Sequence, residues 1–233
     1  VTHNRSLQAR LEERLSACIE TYKEVTKGDF PASHIRDVLV DMRQVYEELS
    51  YWDEALDCEE RLEELWKSNS EIDTEENSKL ETQQHLLEQA RSIYRQGRLR
   101  MHLGQPVEAA KCYQRSLEGY HSFYGPNTYH ADKGHALMSL AGVRYARGDH
   151  AESLRILREE ASEHFRQHTE DGLGAPHQDL FKCLQHQGLV CRGAEDFDSS
   201  LIYYQEAKDV LLESTGEYAD MEEYRERLQS IDL

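Results

Sequence analysis

The sequence predicts an all-α fold, a solenoid of antiparallel helical hairpins, and three observations lead to it. A helix–turn–helix pattern recurs four times along the chain. The composition is polar: apolar residues make up 38 %, charged residues 31 %, and there are only four prolines. Such a balance suits exposed helices with narrow buried stripes, and β-branched runs that would build a sheet are almost absent. Finally, loops carrying Gly or Pro punctuate the chain between the hairpins, at GDFPASH (28–34), GPNTYH (125–130) and GLGAPH (172–177). Pro fits a helix start and Gly a helix end, so these loops divide the chain for steric reasons.

The repeated segments read LSYWDEALDCEERL (49–62), LGQPVEAAKCYQRSL (103–117), RGDHAESLRILREEA (147–161) and AEDFDSSLIYYQEAK (194–208). In each, a tight turn is followed by a small residue on a second helix: Ala55, Ala109, Ser153 and Ser200. Their spacings are 54, 44 and 47 residues. The stretch before the second hairpin, SNSEIDTEENS (68–78), is longer and lacks Gly and Pro, which accounts for the wide first spacing. Twelve positions before the landmark, the first helices carry Gly97, Ala141 and Gly188. Small residues at both places let paired helices approach closely. The first hairpin has Arg43 there, which implies looser packing or a register shifted by one turn.

These small-residue positions, the Gly before the turn (Gly104, Gly148) and the Tyr/Leu pattern resemble the tetratricopeptide repeat over about residues 33–213. The period exceeds the usual 34 residues, with the excess in G-x-x-P-x-H-like loops. In this the chain is similar to the long-period subclass found in kinesin light chains and nephrocystin-type proteins. The resemblance implies a right-handed α-solenoid forming a single domain over 1–233. Its repeats would cover 33–67, 79–122, 130–169 and 177–213. Residues 4–27 read as an amphipathic helix left from a truncated repeat, with Leu7, Leu11, Leu15, Cys18, Ile19 and Tyr22 on one stripe. Residues 217–231 read as a capping helix with Tyr218, Met221, Tyr224 and Leu228 inward.

The formal net charge of −18 repels nucleic acid and anionic lipid, so either would need a local basic patch, and no nucleic-acid partner is expected. No stretch approaches the roughly 18 to 20 apolar residues of a membrane span, and no signal-peptide pattern is visible at the start. A chain beginning with Val1 is expected of a processed product or a piece of a longer protein. Cys18, Cys58, Cys112, Cys183 and Cys191 are odd in number and too scattered for a disulfide framework. They read as reduced thiols, which places the protein in the cytoplasm or nucleus, with the cytoplasm preferred.

Chemistry-bearing motifs are few. His164 with His168, and Cys183 with His186, could each supply two metal ligands on one helix face. A structural zinc needs four, and no matching second pair stands out, so no metal and no cofactor is expected. There is no G-x-S-x-G, Walker-type loop, H-E-x-x-H or dinucleotide fingerprint, and the chain is not expected to be an enzyme.

Charge is distributed in blocks. From Asp53 to Glu81 there are twelve acids and three bases, from Arg91 to Arg115 six bases and one acid, and from Glu195 onward twelve acids and three bases. In the resembled family the first helix of each hairpin lines a concave groove. By register this groove would present Arg91, Tyr94, Arg98, Met101 and His102. It would continue with His135, Met138, Gly142 and Tyr145, then Lys182, Gln185, Leu189 and Arg192. A cationic, aromatic groove would favour an acidic peptide with apolar anchors. The competing reading pairs these arginines with glutamates of neighbouring helices, such as Glu88 or Glu108. The family's chaperone-type carboxylate clamp is not expected, because Val40 and Gln44 stand at its positions. Met138 and Ser139 replace the asparagines of kinesin-light-chain grooves, so a cargo-adaptor role does not carry over. The expected function is a non-catalytic scaffold that holds a protein or peptide. The alternative is a structural subunit contacting neighbours through its convex face and ends.

Overall fold

The computed structural model describes residues 2–28, 30–69, 78–170 and 176–218, and the described secondary structure is entirely helical. The elements are α1 (Thr2–Lys27), α2 (Ala32–Glu48), α3 (Trp52–Asn69), α4 (Ser78–His102) and α5 (Pro106–Tyr124). They continue with α6 (Ala131–Ala146), α7 (His150–Arg155), a π-helical segment (Ile156–Ala161), α8 (Ser162–Glu170), α9 (Pro176–Gly193) and α10 (Phe197–Tyr218). Two compact units result, Val1–Gly119 and Tyr120–Leu233.

The same turn is built four times. Ser50, Gly104, Gly148 and Glu195, each five residues before its landmark, all have positive φ between 61° and 79°. In each case the next residue's N–H closes a six-residue loop onto the first helix: Tyr51 to Tyr46 O, Gln105 to Arg100 O, Asp149 to Arg144 O, and Asp196 to Cys191 O. This is the left-handed helix ending with its paired backbone bonds. The second helix starts identically, with Ala55, Ala109, Ser153 and Ser200 donating to the carbonyl four residues back at 3.0 to 3.1 Å. Asp149 and Asp196 cap their helices by accepting from the N–H groups of Glu152 and Ser199.

Within hairpins the small residues do what their spacing predicts. A Cβ on Gly97 would stand 2.6 Å from the Tyr113 ring, and one on Gly188 would stand 2.9 Å from the Tyr204 ring. The hydroxyls of Ser153 and Ser200 donate to the carbonyls of Ala141 and Gly188 at 2.8 and 2.9 Å. Arg43 departs from this rule without loosening the hairpin or shifting its register. Ala55 is fully buried, and Arg43 Nε lies 2.9 Å from the carboxylate of Glu59, which holds the place Tyr113 and Tyr204 take elsewhere. An ion pair has replaced a glycine–aromatic contact.

In the first unit the core gathers Leu39, Met42, Cys58 and Leu62, with Cys18, Ile19 and Tyr22 of α1 packed onto it. These three belong to the stripe the sequence assigned to that helix. In the second unit Phe181, Leu184, Ala207 and Leu211 pack between α9 and α10. The long inter-hairpin loop there is itself folded. Lys133, fully buried, donates to the carbonyls of Gly125 (2.5 Å) and Thr128 (2.8 Å), while Tyr124 stacks on His130 and donates to Asp132.

Two sequence expectations meet the edges of the described residues. Helix α10 continues to Tyr218 through 214–216, where the sequence predicts a break before a capping helix. The rest of that predicted helix, 219–231, and the loop residues 70–77 lie outside the described residues, as do Asp171 and 172–175 of the GLGAPH loop.

Candidate functional site

The α4 arginines come from a run whose polar face meets the acidic α3. Arg95 Nε donates to Glu59 at 2.5 Å, and Ser92 Oγ donates to the same carboxylate at 2.6 Å. Glu59 is 0 % exposed, so its charge is balanced by Arg43 and Arg95 together. Glu63 accepts from Lys67, Gln96 and Arg115. Burial pushes its carboxyl pKa up, but these three bonds outweigh burial and hold it below the usual range. Arg100 pairs with Glu60 at 2.7 Å, and Arg91 with Glu88 at 2.8 Å.

The basic block is therefore largely neutralised by acids 3 to 52 residues away in sequence. Pairing with glutamates of neighbouring helices was the competing expectation; Glu88 is one partner, and the others lie on α3. Arg91, assigned to the groove as a free cation, is held by Glu88. Arg98 differs. It is exposed and makes no ion pair among the described residues. It borders a shallow recess with Glu47, Trp52 and His102, and the His102 ring stacks on Trp52 at 4.2 Å. Tyr94 is half-buried with its ring 5.6 Å from Tyr113, and Met101 is half-buried.

In the second unit, Met138 and Tyr145 lie partly exposed on α6, and a Cβ on Gly142 would meet nothing within 4 Å. Tyr145 packs over Gly193 and lies 5.3 Å from His150. His135 bonds Asp179 at 3.1 Å, and the same carboxylate lies 3.9 Å from Lys182. Gln185 and Leu189 are partly buried, and Arg192 is exposed.

One member of each candidate metal pair is otherwise engaged. His164 Nδ1 accepts the His130 N–H at 3.2 Å, and the side chain of His168 lies outside the described residues. Cys183 is fully buried against Ser162 and the Leu157 carbonyl, while His186 is exposed. Among the described residues no group of three His, Cys, Asp or Glu could hold a metal ion. All five cysteines are unpaired, and burial pushes the Cys58 thiol up to about 12. No described helix is long and apolar enough to cross a membrane.

The sequence reading missed the π-helical segment. Seven residues after the landmark, three hairpins bury Leu62, Ser116 and Ala207. In the third, Ala161 is buried at the eighth position, and Glu160 at the seventh reaches out to Arg155. One inserted residue turns all that follows by about 100°. An acid where the other repeats bury Leu, Ser or Ala was the available signal.

No protein-family model matches the sequence, and neither does any curated protein. Solved structures do match in fold. BtubC (BKLC) from P. vanneervenii superposes with a TM-score of 0.70 at 17 % identity, over 91 % of this chain and 77 % of that one. A putative kinesin light chain from Podosopora anserina, with nearly identical TPR-like repeats, gives 0.64 at 12 % identity over 91 % and 92 %. The fold is that of tetratricopeptide-like repeat proteins. MamA shares it more distantly, with a TM-score of 0.54 at 19 % identity over 89 % and 94 % of the two chains. Against this tetratricopeptide-like frame, α4, α6 and α9 are first helices, and α5, α7–α8 and α10 are second helices.

Proposed function

We propose that the chain is a non-catalytic interaction scaffold that takes a partner protein or peptide along the faces of its first helices. The observation that carries this is Arg98. The other α4 arginines (Arg91, Arg95 and Arg100) are ion-paired, whereas Arg98 stays exposed beside the stacked Trp52–His102 rings. A guanidinium next to an aromatic shelf suits an acidic side chain followed by an apolar one. In the second unit, the space beside Gly142, together with Met138, Tyr145, Lys182, Gln185 and Arg192, is the corresponding candidate surface. Unpaired thiols favour a reducing compartment, the cytoplasm, and the −18 charge disfavours nucleic acid.

The test is charge reversal at Arg91 and Arg98, read by capture of partner from extract alongside far-ultraviolet circular dichroism. Capture should be lost with helicity intact. Because Arg91 already has a carboxylate, Arg98→Glu alone should account for most of the loss. Capture unchanged in the double variant overturns the first-helix site.

A further inference from the structure

On the second-helix side of the second unit, the π-helical segment opens a recess of about 310 Å³ between itself, α8 and α10. This is near the lower end of the roughly 300 to 1,000 Å³ typical of small-ligand pockets. The widened turn sets Arg158, Ser162 and Arg166 together along one wall. Neither arginine is ion-paired with a carboxylate among the described residues, in a chain where acids outnumber bases 45 to 27. The floor is polar and buried: Ser162 is 1 % exposed and Gln187 of α9 is 2 % exposed.

That floor is fixed by the π turn. Breaking α-helical spacing leaves the Leu157 carbonyl to accept from the Ser162 N–H five residues on, from Ser162 Oγ at 2.8 Å and from Gln187 Nε2 at 3.3 Å. Gln187 Nε2 also donates to Ser162 Oγ at 2.6 Å. Both amide hydrogens are therefore committed, and Gln187 Oε1, which makes no bond among the described residues, is left as an acceptor. Helix α10 supplies Ile202, Glu206 and the Tyr203 hydroxyl, which lies within reach of the Arg158 guanidinium.

We propose that this recess binds a peptide carboxylate, independently of the first-helix faces. Two guanidiniums offer fork-shaped donors to a carboxylate. One glutamate among the lining groups leaves a net charge of about +1, which matches a monoanion, whereas a dianion such as phosphate would keep one charge uncompensated and facing Glu206. Glu206 and Gln187 Oε1 are acceptors for the amide N–H groups that flank the carboxylate in a peptide, and Ile202 is an apolar contact beside it.

The full chain, labelled with nitrogen-15, is titrated with four capped tripeptides while the arginine Nε–H resonances are followed. The probes are Ala-Glu-Ala, Ala-Gln-Ala and Ala-phosphoserine-Ala, all acetylated and amidated, and acetylated Ala-Ala-Ala with a free carboxyl end. Saturable shifts at Arg158 and Arg166 are expected with a carboxylate probe. Whether the internal Glu or the free end binds more tightly identifies the source of the carboxylate. Binding should weaken at least about tenfold with the Gln probe, and in Arg158→Gln and Arg166→Gln, whose side chains are exposed and whose fold is checked by circular dichroism. Arg98→Gln should bind these probes unchanged. Glu206→Gln should improve the phosphoserine probe relative to Glu. Absence of saturation, undiminished binding in both arginine variants, or tighter binding of phosphoserine than of Glu to the unmodified chain overturns the proposal.

Discussion

Ser50 and Glu195 occupy the left-handed backbone position that Gly104 and Gly148 fill in the other hairpins. Only glycine takes that conformation without crowding its Cβ, at a cost to other residues of roughly 1 to 2 kcal/mol. Both side chains are exposed, so Ser50→Gly and Glu195→Gly should each raise stability by about 0.5 to 1 kcal/mol, seen as a higher urea midpoint with an unchanged slope. His164 acts through its charge. Burial pushes its imidazole down to about 4, with Lys133, His121 and His130 adding in the same direction. A folded value below the unfolded one means the unfolded chain binds more protons between about 4 and 6.5. Stability is therefore fully present above pH 6.5 and declines as pH falls toward 4. The melting temperature should drop across that window, and His164→Asn, which keeps an acceptor for the His130 N–H but cannot titrate, should flatten the drop.

At the scale of the element, the first hairpin shows that one packing position can be filled in two ways. Gly97 and Gly188 admit the rings of Tyr113 and Tyr204, whereas Arg43 reaches Glu59, and Ser92 and Arg95 of α4 tie that carboxylate to the next hairpin. Removing one partner of a buried pair leaves an uncompensated charge, so Glu59→Ala should cost about 3 to 5 kcal/mol. The double change Arg43→Gly with Glu59→Tyr restores the pattern of the other hairpins. It should be less destabilising than the sum of its single changes by more than about 1 kcal/mol, measured in a denaturation cycle. A simple sum would mean that positions 43 and 59 do not form one packing unit. Spacing alone located position 43 correctly, but what an arginine does there depends on a carboxylate sixteen residues on and two donors in α4. The π-helical segment was harder to read for a related reason. A one-residue insertion leaves the helical pattern plausible on both sides; the one local sign is Glu160 at a position the other repeats bury, and the burial of Ala161 in its place shows the change of face.

For the whole molecule, charge is the dominant departure from an ordinary domain. A net −18 carries a self-repulsion that salt screens, while the buried carboxylate of Glu59 is screened far less. Raising sodium chloride from about 0.05 to 0.5 M at pH 7 should therefore increase the melting temperature; a decrease would show that surface ion pairs outweigh the repulsion. The sequence by itself determined the all-α class, the four hairpins and their register. Turn and helix-start geometry is local, set by residues within five or six positions of one another. Only the tertiary structure decided which charges remain available. The arginines at 95, 100 and 115 find their carboxylates in α3, 36 to 52 residues away, and Arg98 does not. It also decided that Arg158, Ser162, Arg166 and Gln187 share one recess, because that depends on where an extra residue turns a helix against its neighbours.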